Sequence, residues 1–311
     1  MIATLITVLI RTFVAVVNLF PLNVRLYLLQ TLLRLWLFFA PKYKAISLKN
    51  LTLAFPNQDE SWKAKILSEN IASLARLMVD ALRLPTLDKS WAEKNVEIPL
   101  WNKFQERRKE GRSILIASGH LGSFELQGYL CSLLGTPISF VVRNFQLKPL
   151  DRWWNGVRGR HGNKVIDRRG AFREIIQDLK SKRPVALLFD QNVTRRHAIF
   201  VDWFGKKAAT TKALGIAALK TEAIIYVSAL IYLGGERYKL DAAELNFDSL
   251  YGDPALSDDE KIERITKGCV EEFEKLVRAY PHCWFWMHRK WKTRPDPNEP
   301  EDFYLALNQA A

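Results

Sequence analysis

The 311-residue chain carries 46 Lys and Arg against 33 Asp and Glu, a formal net charge of +13, and 48% of its residues are hydrophobic. That length is enough for one large domain or two small ones with a buried core; the apolar fraction excludes disorder, and the long charge-rich remainder excludes a multi-span transporter. Cys131, Cys269 and Cys283 are too few for a disulfide framework and none belongs to a C-x-x-C pair, as suits a chain facing a reducing compartment.

Residues Ile2 to Phe20 form a mostly apolar stretch interrupted by Arg11 and Asn18, and a second stretch, Leu22 to Ala40, carries Arg25, Gln30 and Arg34. A bilayer span takes about 20 apolar residues, and a central arginine costs about 2.5–3.5 kcal/mol on insertion scales. The first stretch therefore reads as a marginal span and the second as an interfacial or packed helix. The alternative is a pair of buried helices in a soluble domain. No basic leader and no small-residue cleavage site precede Pro21, so a cleaved signal peptide fits poorly. Arg25, Arg34, Lys42, Lys44 and Lys49 follow the first stretch with no acidic residue before Asp59. With the first stretch as an anchor, the chain divides into an N-terminal anchor with interfacial helices, 1–40, and a body, 41–311, which the positive-inside rule places facing the cytosol.

Ser61 opens a helix in which Leu67, Ile71, Leu74, Met78 and Leu82 recur at helical spacing, and Pro85 stops it. From there strands and helices alternate. Ser113–Ala117 reads as a buried strand and Gly122–Leu134 as a helix; the pattern then runs strand 138–142, helix 150–160, strand 164–166, helix 171–180 and strand 185–189. Helix 214–221, strands 224–232 and 238–243 and a helix over 257–279 close the body. Such alternation predicts an α/β fold with a mixed, largely parallel sheet flanked by helices. The window from Arg143 to Arg183 holds 12 Lys and Arg against 4 Asp and Glu. A run of this kind is ordinarily a solvated helical face, but here the basic residues flank strand ends, where α/β sheets place their sites.

The first body strand leads into Ser118-Gly-His-Leu-Gly-Ser-Phe-Glu125, an H-x4-E arrangement with His120 in the loop and Glu125 in the first turn of the next helix. The spacing lets the carboxylate fold back on the imidazole, fix its tautomer and stabilise the imidazolium. A histidine so held can take a proton from an alcohol attacking an ester or thioester carbonyl. The helix N-terminus, with Gly122 and Ser123 beside it, is expected to offer free backbone N–H groups to the developing oxyanion. No G-x-S-x-G elbow, nucleotide-binding glycine loop or zinc-ligand spacing accompanies the motif, and no nucleic-acid module is present.

His120-Leu-Gly-Ser-Phe-Glu125 resembles the H-x4-[DE] block of the glycerolipid acyltransferases, and the chain more specifically resembles the bacterial lipid A late acyltransferases. Phe189-Asp-Gln191, Phe200-Val201, Phe204-Gly205 and Ala208-Ala-Thr-Thr211 look like that family's central blocks in the same order. Trp284-Phe-Trp-Met-His-Arg-Lys-Trp-Lys-Thr-Arg-Pro295 is similar to its terminal signature, and Asn50-Leu-Thr-Leu-Ala-Phe-Pro56 also fits. The resemblance implies an enzyme of the inner membrane, facing the cytoplasm, with no metal, no cofactor and no acyl-enzyme intermediate. It implies acyl carrier protein as the donor's carrier. The implied acceptor is a hydroxyl on an acyl chain of a phosphorylated lipid A precursor, with another glycolipid or a lysophospholipid as the alternative. By position it makes His120 the general base and Glu125 its orienting partner. Arg158, with Arg160 as a rival one alignment gap away, Asp190 and Arg289 fall to phosphate binding or site architecture. Where the family often has Tyr-Arg-Pro, this chain has Val142-Arg143-Asn144. An acidic carrier protein would be steered by the basic window between Arg143 and Arg183.

Overall fold

A computed structural model describes residues 2–296 and 304; the remainder of the body as delimited above lies outside the described residues. Pro21, with extended backbone (φ −53°, ψ 146°), separates α1 (Ile2–Leu19) from α2 (Leu22–Phe39). The two helices are bent by 117° at this break, and among the described residues no single helix is long and apolar enough to cross a membrane. Composition marks 2–20 as a marginal span; the break at Pro21 makes the two apolar stretches a bent pair that is long and apolar enough for a crossing only when taken together. Both leave large apolar side chains exposed, among them Phe13, Tyr27, Phe38 and Phe39. Buried Leu37 of α2 packs with Ile71 and Met287.

After α3 (Pro41–Ala54), Asp59 caps α4 (Glu60–Arg83) by accepting the Trp62 N–H at 2.7 Å, so the helix opens just before Ser61. Its buried stripe runs through Ile66, Leu67, Ile71, Ala75 and Val79, whereas Met78 lies outside it and is exposed. α5 (Lys89–Asn95), β1 (Val96–Glu97) and α6 (Trp101–Lys109) precede the alternating body of β2 (Ile114–Ser118), α7 (Phe124–Leu133), β3 (Ser139–Val142), α8 (Lys148–Arg158), β4 (Lys164–Asp167), α9 (Ala171–Lys180) and β5 (Val185–Leu188). An antiparallel hairpin, β6 (Ala198–Trp203) and β7 (Lys206–Thr211), follows. The body closes with α10 (Ala213–Thr221), β8 (Ile224–Gly234), β9 (Arg237–Leu245), α11 (Asp248–Tyr251) and α12 (Asp258–Ala279).

Seven strands make one sheet in the order β1-β9-β8-β2-β5-β3-β4. Every neighbouring pair in it is parallel except β8–β9, which gives the mixed, largely parallel sheet expected from the alternation. Every residue of β2 is buried, the mark of a central strand covered on both faces. Alternate side chains separate those faces. Ile114, Ile116 and Tyr226 pack with Phe104 and Cys131 on one, while Leu115, Ala117 and Val227 join the large core with Ile175, Leu214 and Phe273 on the other. The carboxyl ends of β2 and β5 lie side by side, with Ser118 in register with Leu188, and the chain leaves both toward the same site.

Candidate active site

His120 stands just beyond β2 and Asp190 just beyond β5. Asp190 accepts two hydrogen bonds from the histidine residue, from its backbone N–H through Oδ2 and from its ring at Nδ1 through Oδ1, each 2.9 Å. The indole N–H of Trp284 donates to the same Oδ2 at 2.8 Å. So close an approach of carboxylate to loop needs a glycine at 119, because a Cβ there would lie 2.8 Å from Asp190 Cγ and 2.3 Å from the Phe273 ring. Burial works against the charge on Asp190, but His120 and the N–H donors outweigh it and hold the carboxyl down at about 2. Burial also lowers His120, and the charge and hydrogen bond of Asp190 reverse the balance, so its pKa ends above the ordinary 6.5. With an ionised carboxylate at Nδ1, that nitrogen carries the proton of the neutral ring and Nε2 presents the lone pair.

Glu125 does not meet His120. It receives two hydrogen bonds from Arg158 at the end of α8, Nε to Oε2 at 3.1 Å and Nη2 to Oε1 at 2.5 Å. The expected orienting role therefore moves to Asp190. The reason lies in the turn: Gly122 has φ +64°, and a Cβ there would sit 2.2 Å from the Leu230 carbonyl oxygen, so the backbone is pressed against β8 and α7 leaves in another direction. The same turn takes up two of the amides beside that helix start. The Gly122 N–H donates to the Cys283 carbonyl at 3.0 Å and the Ser123 N–H to the Leu230 carbonyl at 2.9 Å, so neither faces a substrate.

Three further grips fix this loop. The Phe285 N–H donates to the His120 carbonyl at 2.9 Å. From α4, Asn70 donates to the carbonyls of His282 and Trp284, both at 2.8 Å. Asp80, fully buried, accepts the Ser123 hydroxyl and the Tyr238 hydroxyl, each at 2.6 Å, and pairs with Arg76 at 3.0 Å. The aromatic segment 282–288 is thus the backing of the His120 loop. His288 belongs to it: burial pushes its pKa down to about 4, and its neutral Nε2 accepts the Asn192 N–H at 2.7 Å.

A cavity of about 960 Å³ opens at His120. Its lining comes from both faces of the sheet: Ile116, Phe140, Ala186 and Tyr226 with Trp101 and Phe104 under α6 and α7, and Leu187 and Phe189 with Ala171, Ile175 and Ile216 beside α9 and α10. His120, just beyond the carboxyl end of β2, lines the same cavity. On the first face the lining reaches Ile116, about 7 Å back along β2 from Ser118 at ~3.3 Å per residue. The rim is cationic, with Arg143, Arg158, Arg168 and Lys212. Arg158 rather than Arg160 meets the cavity; Arg160 donates instead to the Pro85 carbonyl at 2.6 Å. Arg289 is not among the lining residues, and Asp190 acts from behind the histidine. The basic window thus divides: some of its charges face the cavity, while Lys164 pairs with Glu174 and Asp178. Among the described residues no group of three or more His, Cys, Asp or Glu side chains is arranged to hold a metal ion.

The family model described as "Bacterial lipid A biosynthesis acyltransferase" matches residues 1–293. A lipid A biosynthesis acyltransferase of Haemophilus influenzae is 22% identical over 266 residues, covering 85% of this chain and 80% of the relative. A lipid A biosynthesis myristoyltransferase of Escherichia coli K12 is 24% identical, covering 83% and 79%. A phosphatidylinositol mannoside acyltransferase of Mycolicibacterium smegmatis is 22% identical, covering 73% and 72%.

Proposed function

The chain is an acyltransferase of the bacterial lipid A biosynthesis family, and from that premise we propose that it adds a secondary acyl chain to a lipid A precursor, with His120 as general base. The observation that carries this reading is His120, held on Asp190, in the lining of a cavity with apolar walls and a rim of Arg143, Arg158 and Arg168. The acceptor's hydroxyl donates its proton to Nε2 as its oxygen bonds to the carbonyl carbon of a thioester on acyl carrier protein. The carbonyl π pair moves to oxygen. When the oxyanion collapses, the carbon–sulfur bond breaks and the thiolate takes the proton from the imidazolium. Asp190 remains ionised throughout and stabilises the imidazolium. No bond to the enzyme forms, and no cofactor takes part. The apolar walls suit hydrocarbon chains, and the cationic rim, Arg158 included, suits the phosphates of the acceptor.

The exposed apolar faces of α1 and α2, with Arg34 inside α2 and Lys42, Lys44 and Lys49 after it, fit an anchor in the inner membrane with the body on the cytoplasmic side. The test is mass-detected acyl transfer by the detergent-purified protein, given carrier protein loaded with chains of graded length and a lipid A precursor lacking secondary chains. Product from the wild type and none from His120→Ala is expected. Failure of a folded wild type on every chain would overturn the lipid A acceptor. The mycobacterial relative favours one second reading, a glycolipid acceptor, and a phosphatidylinositol mannoside in the same assay decides between the two.

A further inference from the structure

The amides of Gly122 and Ser123 are both occupied inside the protein, whereas a side-chain donor beside the base itself can meet the negative charge that develops on the carbonyl oxygen. Gln191 is placed for it. Its side-chain nitrogen lies 3.3 Å from His120 Nε2, the nitrogen left unprotonated by the bond to Asp190, so in the resting enzyme the amide donates to the base's lone pair. That is the position an acceptor hydroxyl must occupy to lose its proton. When the hydroxyl arrives, the amide N–H is displaced by about one hydrogen-bond length from the reacting atoms and faces the tetrahedral centre being formed.

The residue is also held on both sides. Asp190 is fixed by His120 and Trp284, while the Asn192 N–H donates to His288 Nε2 at 2.7 Å and the Asn192 side chain exchanges hydrogen bonds with Thr293, Nδ2 to Oγ1 at 3.0 Å and Thr293 N–H to Oδ1 at 3.1 Å. A donor on so constrained a backbone meets developing charge with little reorganisation, which is the condition for strong transition-state stabilisation. We infer that Gln191 is a catalytic residue: its side-chain amide caps His120 Nε2 in the resting enzyme and donates to the oxyanion during acyl transfer. This rests on the acyl-transfer reading above, with its thioester donor.

Two variants test it. Gln191→Ala removes the donor and is expected to lower kcat by about 10²-fold at unchanged KM for both substrates. Gln191→Glu keeps the shape and removes the donor, so a space-filling residue would be rescued by it; here kcat falls at least as far. The groups facing His120 are Asp190 from the end of β5 and Glu125 from α7, with His288 from the terminal segment in electrostatic reach. A new carboxylate beside them favours the imidazolium, so the titration midpoint of His120, followed by NMR in the substrate-free enzyme, rises in Gln191→Glu. That shift depends on the resting contact alone, whatever lipid is acylated, so it separates this inference from the choice of acceptor. Wild-type kcat in Gln191→Glu, or a change in KM alone in Gln191→Ala, would overturn the assignment.

Discussion

His120 and Glu125 belong to one short motif, yet each is paired with a residue from elsewhere in the chain, and the two pairs differ in kind. Asp190 is 2% exposed, and its oxygens are taken by His120 and by the Trp284 indole N–H that seals it in. Glu125 and Arg158 both line the cavity. A sealed carboxylate can set the tautomer and basicity of its partner but not meet the substrate, whereas an ion pair in a cavity wall can meet the substrate and exchange partners with it. On the acyl-transfer reading proposed above, the proton chemistry falls to the first pair and substrate placement to the second.

The sharpest way to break that division is Asp190→Asn. Asparagine can present its amide to Nδ1 and so stabilise the tautomer with the proton on the wrong nitrogen; a loss in kcat of about 10⁴-fold is expected, as for the equivalent change in serine protease triads. The pH profile carries the sign. Asp190 raises His120 above 6.5, and the base works only when neutral, so in the wild type kcat/KM falls as pH drops through that raised value. Without the carboxylate the acid limb moves to lower pH, even as the maximum falls. If Glu125→Gln produced that shift and Asp190→Asn did not, the roles of the two pairs would be reversed.

Glu125→Gln and Arg158→Ala should each lower kcat/KM by about 10²-fold, the scale of a substrate misplaced by roughly 1 Å. Because the two side chains act as one unit, the double variant should cost little more than either single change. Losses that multiply would mean that the pair is not the functional unit. Steady-state kinetics with the lipid acceptor varied would place the loss largely in KM.

What the sequence reveals about this arrangement follows from the range of the interactions. The strand at 114–118, the helix behind the motif and the helix over 171–180 are written in local apolar runs and punctuating glycines, and they stand within a residue or two of expectation. The helix α6 escapes because Trp101–Lys109 is polar apart from Trp101 and Phe104, which carry its buried face. The hairpin at 198–211 escapes because its strands, partly exposed and without strict alternation, resemble loop. In the site, His120 and its place at a strand end are legible from spacing and composition. The partner of His120 is not, since the pairing with Asp190 spans 70 positions and depends on which two strands become neighbours. Even the order of the blocks, which brought Asp190 into consideration, does not say that β5 lies beside β2. The direction taken by Glu125 depends on a positive φ at Gly122, imposed by contact with β8 rather than by any nearby residue.

Ser123 offers the finest division between the pairs, because it lies between His120 and Glu125 and touches neither. Its hydroxyl donates to Asp80 at 2.6 Å, tying the start of α7 to α4, where Arg76 and Tyr238 complete the buried cluster. Ser123→Ala leaves Asp80 with those two partners, so the cost in stability should fall near the low end of the ~1–3 kcal/mol for stranding a buried acceptor. Chemical denaturation would measure it as a lower midpoint at constant slope. His120 is separately held by Asp190 and by the Phe285 N–H, whereas Glu125 depends on the first turn of α7 for its position. Loosening that turn should therefore raise KM for the acceptor several-fold while leaving kcat and the acid limb in place. A shift of the acid limb in this variant would mean that α4 sets the geometry of the base as well, and that the two pairs are mechanically one.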